Sequence, residues 1–134
     1  MKPFTLESDM KNMGGVFYPT GYMILMLPSE QAARDAGQLL ADGGFSDDDV
    51  ALITPQDFRR QIAGAAGDEN ILPSAGTEGD TVRRFVELAD EGHHGVMIHV
   101  PHGEDADRAV AILKDAPISY GQKYRRLVIE DIVE

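Results

Sequence analysis

The sequence of 134 residues predicts one α+β domain built from two βαβ units. Three observations carry this. Apolar runs of strand length alternate with stretches of helical periodicity. Their order is β-α-β, two helices, then β-α-β again. The two halves also repeat weakly: setting Pro28 on Pro101 puts Leu27 on Val100, Leu25 on Ile98 and Met23 on Val96. After a one-residue slip, Glu30 through Arg34 falls on Glu104 through Arg108, and Leu39 on Leu113. Each βαβ unit needs a right-handed crossover. Two such units combine as a four-stranded antiparallel sheet with helices on one face. That arrangement is ferredoxin-like, with two extra helices between the halves.

Residues 1–20 lack sustained periodicity and are expected as an N-terminal arm, leaving 21–134 as the domain. Gly21–Pro28 reads as a strand apolar on both faces. Ser29 caps a helix whose expected stripe is Ala32, Ala36, Leu39 and Leu40, and Gly43-Gly44 ends it. Asp47-Asp48-Asp49 reads as a solvated turn and Val50–Ile53 as a short strand. Thr54-Pro55-Gln56-Asp57 has the residues of a helix start, with Phe58, Ile62 and Ala65 on the apolar face behind it. Gly64–Gly79 is Gly-rich and polar, a loop. From Asp80 a helix places Val82, Phe85, Val86 and Ala89 on one face and closes at Gly92. His94–Val100 is the third strand, stopped by Pro101. A helix from Glu104 with Ala106, Ala109, Val110 and Leu113 on its face ends before Pro117, and Tyr124–Ile129 is the last strand.

Composition narrows the function classes. Apolar residues are 43% and charged residues 26%, the balance of a globular protein. The absence of cysteine excludes a disulfide scaffold, a thiolate metal site and a cysteine nucleophile. The net charge is −11 and both halves are acidic, which opposes nucleic-acid binding. The longest apolar run, Tyr22–Pro28, is far short of the ~20 residues of a membrane helix. The N-terminus lacks the pattern of a signal peptide, so the cytoplasm is the expected compartment and no membrane is expected as a partner.

Several stretches resemble a domain of bacterial general-stress, heat-induced proteins. They are the apolar strand Met23–Leu27, the Ala-rich helix Gln31–Leu40, the turn Gly44-Phe45-Ser46-Asp47-Asp48-Asp49-Val50 and the strand Ala51–Ile53. Gly95–Pro101, Ala106–Leu113 and Tyr124–Ile132 are similar to the closing βαβ unit of that family. The resemblance implies a stress-response module and brings no catalytic residues with it. Many relatives carry a membrane-like Gly-rich segment between the halves, where this chain is polar.

The repeat also assigns faces. Met23, Leu25, Leu27, Val96, Ile98 and Val100 point toward the helices. Tyr22, Ile24, Met26, Met97 and His99 then share the open face, which is too apolar for water. A second subunit, the inserted helices or a ligand must cover it. The expected cover is the second copy of a homodimer, which makes these five residues an interface. The alternative is a small-molecule sensor or enzyme with a pocket on that face.

Other constellations are weaker. His93, His94, His99 and His102 lie at strand ends and do not share a helix face, so no metal site is expected and His99 reads as half-buried. Lys123-Tyr124-Arg125-Arg126 is the one basic cluster, but the third strand lacks the aromatic pattern of an RNA-recognition sheet. Gly64–Gly67 and Gly76–Gly79 lack the lysine of a phosphate loop, and the serines stand at caps and turns. No catalytic residue and no cofactor are expected.

Overall fold

The computed structural model describes residues 1–6, 10, 19–62, 77–124 and 129–133. The strands are β1 (Lys2–Pro3), β2 (Tyr22–Leu27), β3 (Val50–Ile53), β4 (His94–His99), β5 (Tyr120–Tyr124) and β6 (Ile129–Val133). The helices are α1 (Glu30–Asp42), α2 (Pro55–Asp57, continued by a π turn over Phe58–Ile62), α3 (Thr77–Asp90) and α4 (Gly103–Ile112). A 3₁₀ turn over Asp47–Asp49 leads into β3. No helix among the described residues is long and apolar enough to cross a membrane.

The fold is α+β, but the expected four-stranded sheet with helices on one face is corrected on two counts. The sheet has six strands in the order β1-β3-β4-β2-β5-β6. It is mixed, because β1 runs parallel to β3 while the other pairings are antiparallel. Its central order, β3-β4-β2-β5, leaves β4 between the two strands of the first βαβ unit and β2 between those of the second. The other correction concerns the layers. Chain from the N-terminus and from between the halves lies on the second face, so both faces are buried.

On the first face the repeat reads correctly. Met23, Leu25, Leu27, Val96, Ile98 and Val100 pack against Ala33, Ala36 and Leu40 of α1, Ala106 and Ala109 of α4, and Leu113. The small alanines let both helices lie close on a sheet surface of large side chains. The α1 stripe is rotated by one position from the expected one. It is Ala33, Ala36, Gly37 and Leu40, leaving Leu39 45% exposed. Gly37 carries no apolar side chain and so hid this stripe in the sequence. It faces the core because the Met1 side chain packs where its Cβ would be. Val110, expected on the buried face of α4, is exposed.

Local signals set most boundaries. Ser29 Oγ accepts from the Ala32 amide at 3.1 Å, and Gly44 at φ +104° takes the left-handed conformation just past α1. Thr54 and Asp57 form a reciprocal capping box, with the Asp57 amide donating to Thr54 Oγ1 and the Thr54 amide to Asp57 Oδ2. α3 starts at Thr77 and not at Asp80, and the rest of the expected loop, 64–76, lies outside the described residues.

The end of the chain is also corrected. The single strand expected over Tyr124–Ile129 is two strands, one ending and the other beginning at those residues. The sequence of β5, Tyr-Gly-Gln-Lys-Tyr, lacks apolar alternation and so gave no strand signal. It is nevertheless paired on both sides, which buries Gln122.

Candidate functional site

The second sheet face carries Ile24 and Met26 of β2, Ala51 and Ile53 of β3 and Met97 of β4. Phe58 and Ile62 of the π turn and Val82, Phe85, Leu88 and Ala89 of α3 pack over them. Phe4 and Met10 from the N-terminal segment complete this layer. Leu6 is tied to the insert by its amide, which donates to Gln61 Oε1 at 2.8 Å. Ile24, Met26 and Met97 are therefore core residues, covered by their own chain. The apolar surface that called for a second subunit is not open.

The end of this face holds the other two residues of the predicted set, both half-buried. Tyr22 and His99 are direct cross-strand partners in the β2–β4 ladder. Their rings lie 4.8 Å apart with planes tilted by 41°, within the range of favourable ring pairs. The β3–β4 register pairs Val50 with Ile98. Its next step brings Asp49 to His99, and Asp49 Oδ1 lies 3.6 Å from His99 Nδ1. Asp49, His99 and Tyr22 thus form a row across the ends of three strands. Ser46 donates to Asp49 Oδ2 at 3.2 Å, so the carboxylate is held from both sides.

Beside this row lies a cleft of about 200 Å³. Ala51, Met97, Tyr22 and Met10 give it an apolar and aromatic floor. Lys2, Pro3, Thr5, Asp48 and Asp49 complete its lining. The N-terminal segment forms a wall because β1 pairs with β3 and the Phe4 amide continues that contact onto the Leu52 carbonyl at 3.1 Å. The N-terminal ammonium lies 2.9 Å from Asp47, fixing the first residue beside the 3₁₀ turn.

Of the residues that line this cleft, Tyr22 and Met97 belong to the face that the sequence singled out, and His99 of that set stands beside it; Lys2, Met10, Asp48 and Asp49 were not singled out. For Asp49 a signal existed. It stands two residues before Ala51, so a strand period carried back from β3 puts it on the same face. For Lys2 there was none, since a two-residue strand in parallel pairing has no periodicity to read.

The geometry limits the chemistry. A separation of 3.6 Å between Asp49 and His99 is ion-pair range and too long for a hydrogen bond. Ser46 bonds the carboxylate and not the imidazole, so the order is not that of a hydroxyl nucleophile activated by histidine. A second histidine–serine contact, His93 Nδ1 to Ser119 Oγ at 2.8 Å, is also unsuited to that role. The Ser119 hydroxyl donates to the Met26 carbonyl at 3.0 Å, which uses its proton and makes His93 the donor. This contact clips the start of β5 to the end of β2. Among the described residues no three histidine or carboxylate side chains converge on a metal position. Of the basic cluster, Lys123 lies in β5 beside β2, and Arg125 and Arg126 lie outside the described residues.

No family model, curated protein or solved structure matches this chain. The resemblance to general-stress proteins therefore rests on the sequence patterns alone.

Proposed function

We propose that the protein is a small non-enzymatic binding module that takes a small molecule at the Tyr22–His99 end of its sheet. The observation that carries this reading is the cleft of about 200 Å³ between that sheet end and the N-terminal segment. Its lining combines Tyr22, Ala51, Met97 and Met10 with the polar side chains of Lys2, Thr5, Asp48 and Asp49, so both apolar and polar contacts are on offer to a ligand. Its volume is below the roughly 300–1,000 Å³ of sites for drug-sized ligands, so a metabolite-sized occupant fits. The strand order β3-β4-β2-β5 with two helical crossovers supports reading the central strands as a ferredoxin-like unit. In that unit the insert and the N-terminal segment act as built-in cover for the face, in place of a second subunit.

The test is an NMR titration of protein carrying ¹³C-labelled methionine methyl groups against a library of small fragments. Met10 and Met97 line the cleft, whereas Met26 lies in the core and not on the cleft wall. Fragments that move the Met10 and Met97 methyl signals and leave Met26 in place support the reading. A library that moves neither at millimolar concentration overturns it.

A further inference from the structure

The cleft takes part of its lining from the N-terminal segment. Lys2, Pro3 and Thr5 line it, so its shape depends on where residues 1–6 lie. These residues touch both layers of the fold. Met1 packs at Gly37 of α1, on the first face. Phe4 is 3% exposed in the layer on the second face. Around these anchors little of the segment is buried: Lys2, Pro3 and Thr5 are exposed and Leu6 is half-buried. Its ladder with β3 is two residues long, Lys2 beside Ala51 and Pro3 beside Leu52, and Pro3 brings no N–H to it. In contrast, Met23–Leu27 of β2 are fully buried, and that strand pairs along both edges.

Where the ladder ends, a side chain holds the segment. Gln61 Oε1 accepts from the Leu6 amide at 2.8 Å. Its Nε2 donates to Asp57 Oδ1 at 3.0 Å and lies 3.5 Å from the Phe4 carbonyl oxygen. Asp57 stands four residues earlier, on the same helical face. Its other oxygen accepts from the Thr54 amide in the capping box. A carboxylate only accepts, so it draws the Gln61 nitrogen and turns the Gln61 oxygen toward Leu6. The cap of α2 thereby fixes a segment that lines the cleft, through a glutamine outside the lining.

We infer that residues 1–6 are a lid on the cleft that opens as one unit while the sheet stays folded, and that Gln61 is its latch, a positioning residue. The role of the lid rests on the reading that the cleft is a binding site. A segment with few buried side chains and a short ladder opens at a lower free energy than a core strand. Opening takes away three lining residues at once and exposes Tyr22, Ala51 and Met97 to an incoming ligand. Contact of that ligand with Lys2, Pro3 or Thr5 then favours the closed state, so binding and closure are coupled.

Amide hydrogen exchange of the intact chain, followed by NMR over a series of low urea concentrations, tests this. The reporters are the Phe4 amide, which donates to the Leu52 carbonyl, and the Leu6 amide, which donates to Gln61. In the free protein both are expected to exchange about 100-fold faster than the slowest amides of β2 and β4, with little dependence on urea, as a partial opening does. Gln61→Met should speed both by about tenfold, the size of one hydrogen bond, although the bond from Phe4 to Leu52 is untouched. A fragment found by the methyl titration, at about 100 times its Kd, should slow both about 100-fold by holding the lid shut. Phe4 and Leu6 exchanging as slowly as the core, with the same steep dependence on urea, would overturn the lid. Leu6 accelerated alone in Gln61→Met would overturn the latch. A bound fragment that slows neither amide would overturn closure over the ligand and leave the cleft a binding site. The measurement on the free protein needs no ligand, so a fragment library that fails overturns the binding reading and not the opening of the segment.

Discussion

The ring of Phe58 lies directly on the backbone of Gly95. A Cβ at Gly95 would be 2.8 Å from Phe58 Cζ and 3.2 Å from Cε2, with Ile53 Cβ at 3.3 Å on the neighbouring strand. This contact is how the insert seats on the sheet. Phe58 is fully buried and packs at 5.7 Å from the Phe85 ring of α3, so the π turn and α3 dock as one unit. A glycine in the middle of a buried strand marks such a close approach.

Gly95→Ala should therefore destabilise the protein by about 1–3 kcal/mol through overpacking, read as a lower urea midpoint at unchanged slope. Phe58→Leu in the same chain should recover part of that loss by freeing space above the new methyl group. Strictly additive effects of the two substitutions would mean that ring and strand do not touch.

Met97→Asp distinguishes a covered sheet face from an interface. Met97 is 3% exposed in the layer beneath the insert. A carboxylate buried in this apolar layer should cost more than about 3 kcal/mol of folding stability. Circular dichroism during urea unfolding reads this directly. A variant that keeps its stability but changes its sedimentation would place a subunit interface on this face, as the sequence led us to expect.

Thr54→Ala removes the side-chain half of the capping box. The Asp57 amide loses its acceptor, and the turn that carries Phe58 into the core loses its fixed start. The expected loss is about 1 kcal/mol, with Thr54→Ser recovering most of it. An unchanged midpoint would show that Pro55 and core packing hold this turn without the cap.

The Asp49–His99 pair should contribute little to stability. Its side chains are 39% and 41% exposed, and water screens an ion pair in that position. A double-mutant cycle with Asp49→Asn and His99→Gln is expected to give a coupling below about 1 kcal/mol. A coupling above about 2 kcal/mol would mean a pair shielded from water, and a cleft more closed than its walls indicate.

Local chemistry made much of the fold legible. Ser29 and Thr54 cap the helices they were expected to cap. β3 runs over the four residues whose continuous apolar character predicted it. The repeat placed Met23, Leu25 and Leu27 opposite the α1 and α4 alanines because strand faces alternate with a fixed period. Leu39 shows where such reading fails. The expected stripe included Leu39, whereas the buried one runs through Gly37, which has no side chain to signal it and packs against Met1.

The sequence by itself determined that Tyr22, Ile24, Met26, Met97 and His99 share a face needing cover, since side-chain alternation depends on the strand alone. What covers them was a tertiary decision. Phe58 follows β3 through the Thr54 cap and Phe85 lies on α3, and no local periodicity specifies where these helices dock on the sheet. The absence of a side chain at Gly95 lets the Phe58 ring seat there, against Ile53 of the neighbouring strand, a fit that arises only once β3 and β4 are paired. The same docking covers the Gly95 end and leaves the His99 end to the N-terminal segment. Lys2 and Asp48, 46 positions apart in the numbering, thereby come to line one cleft.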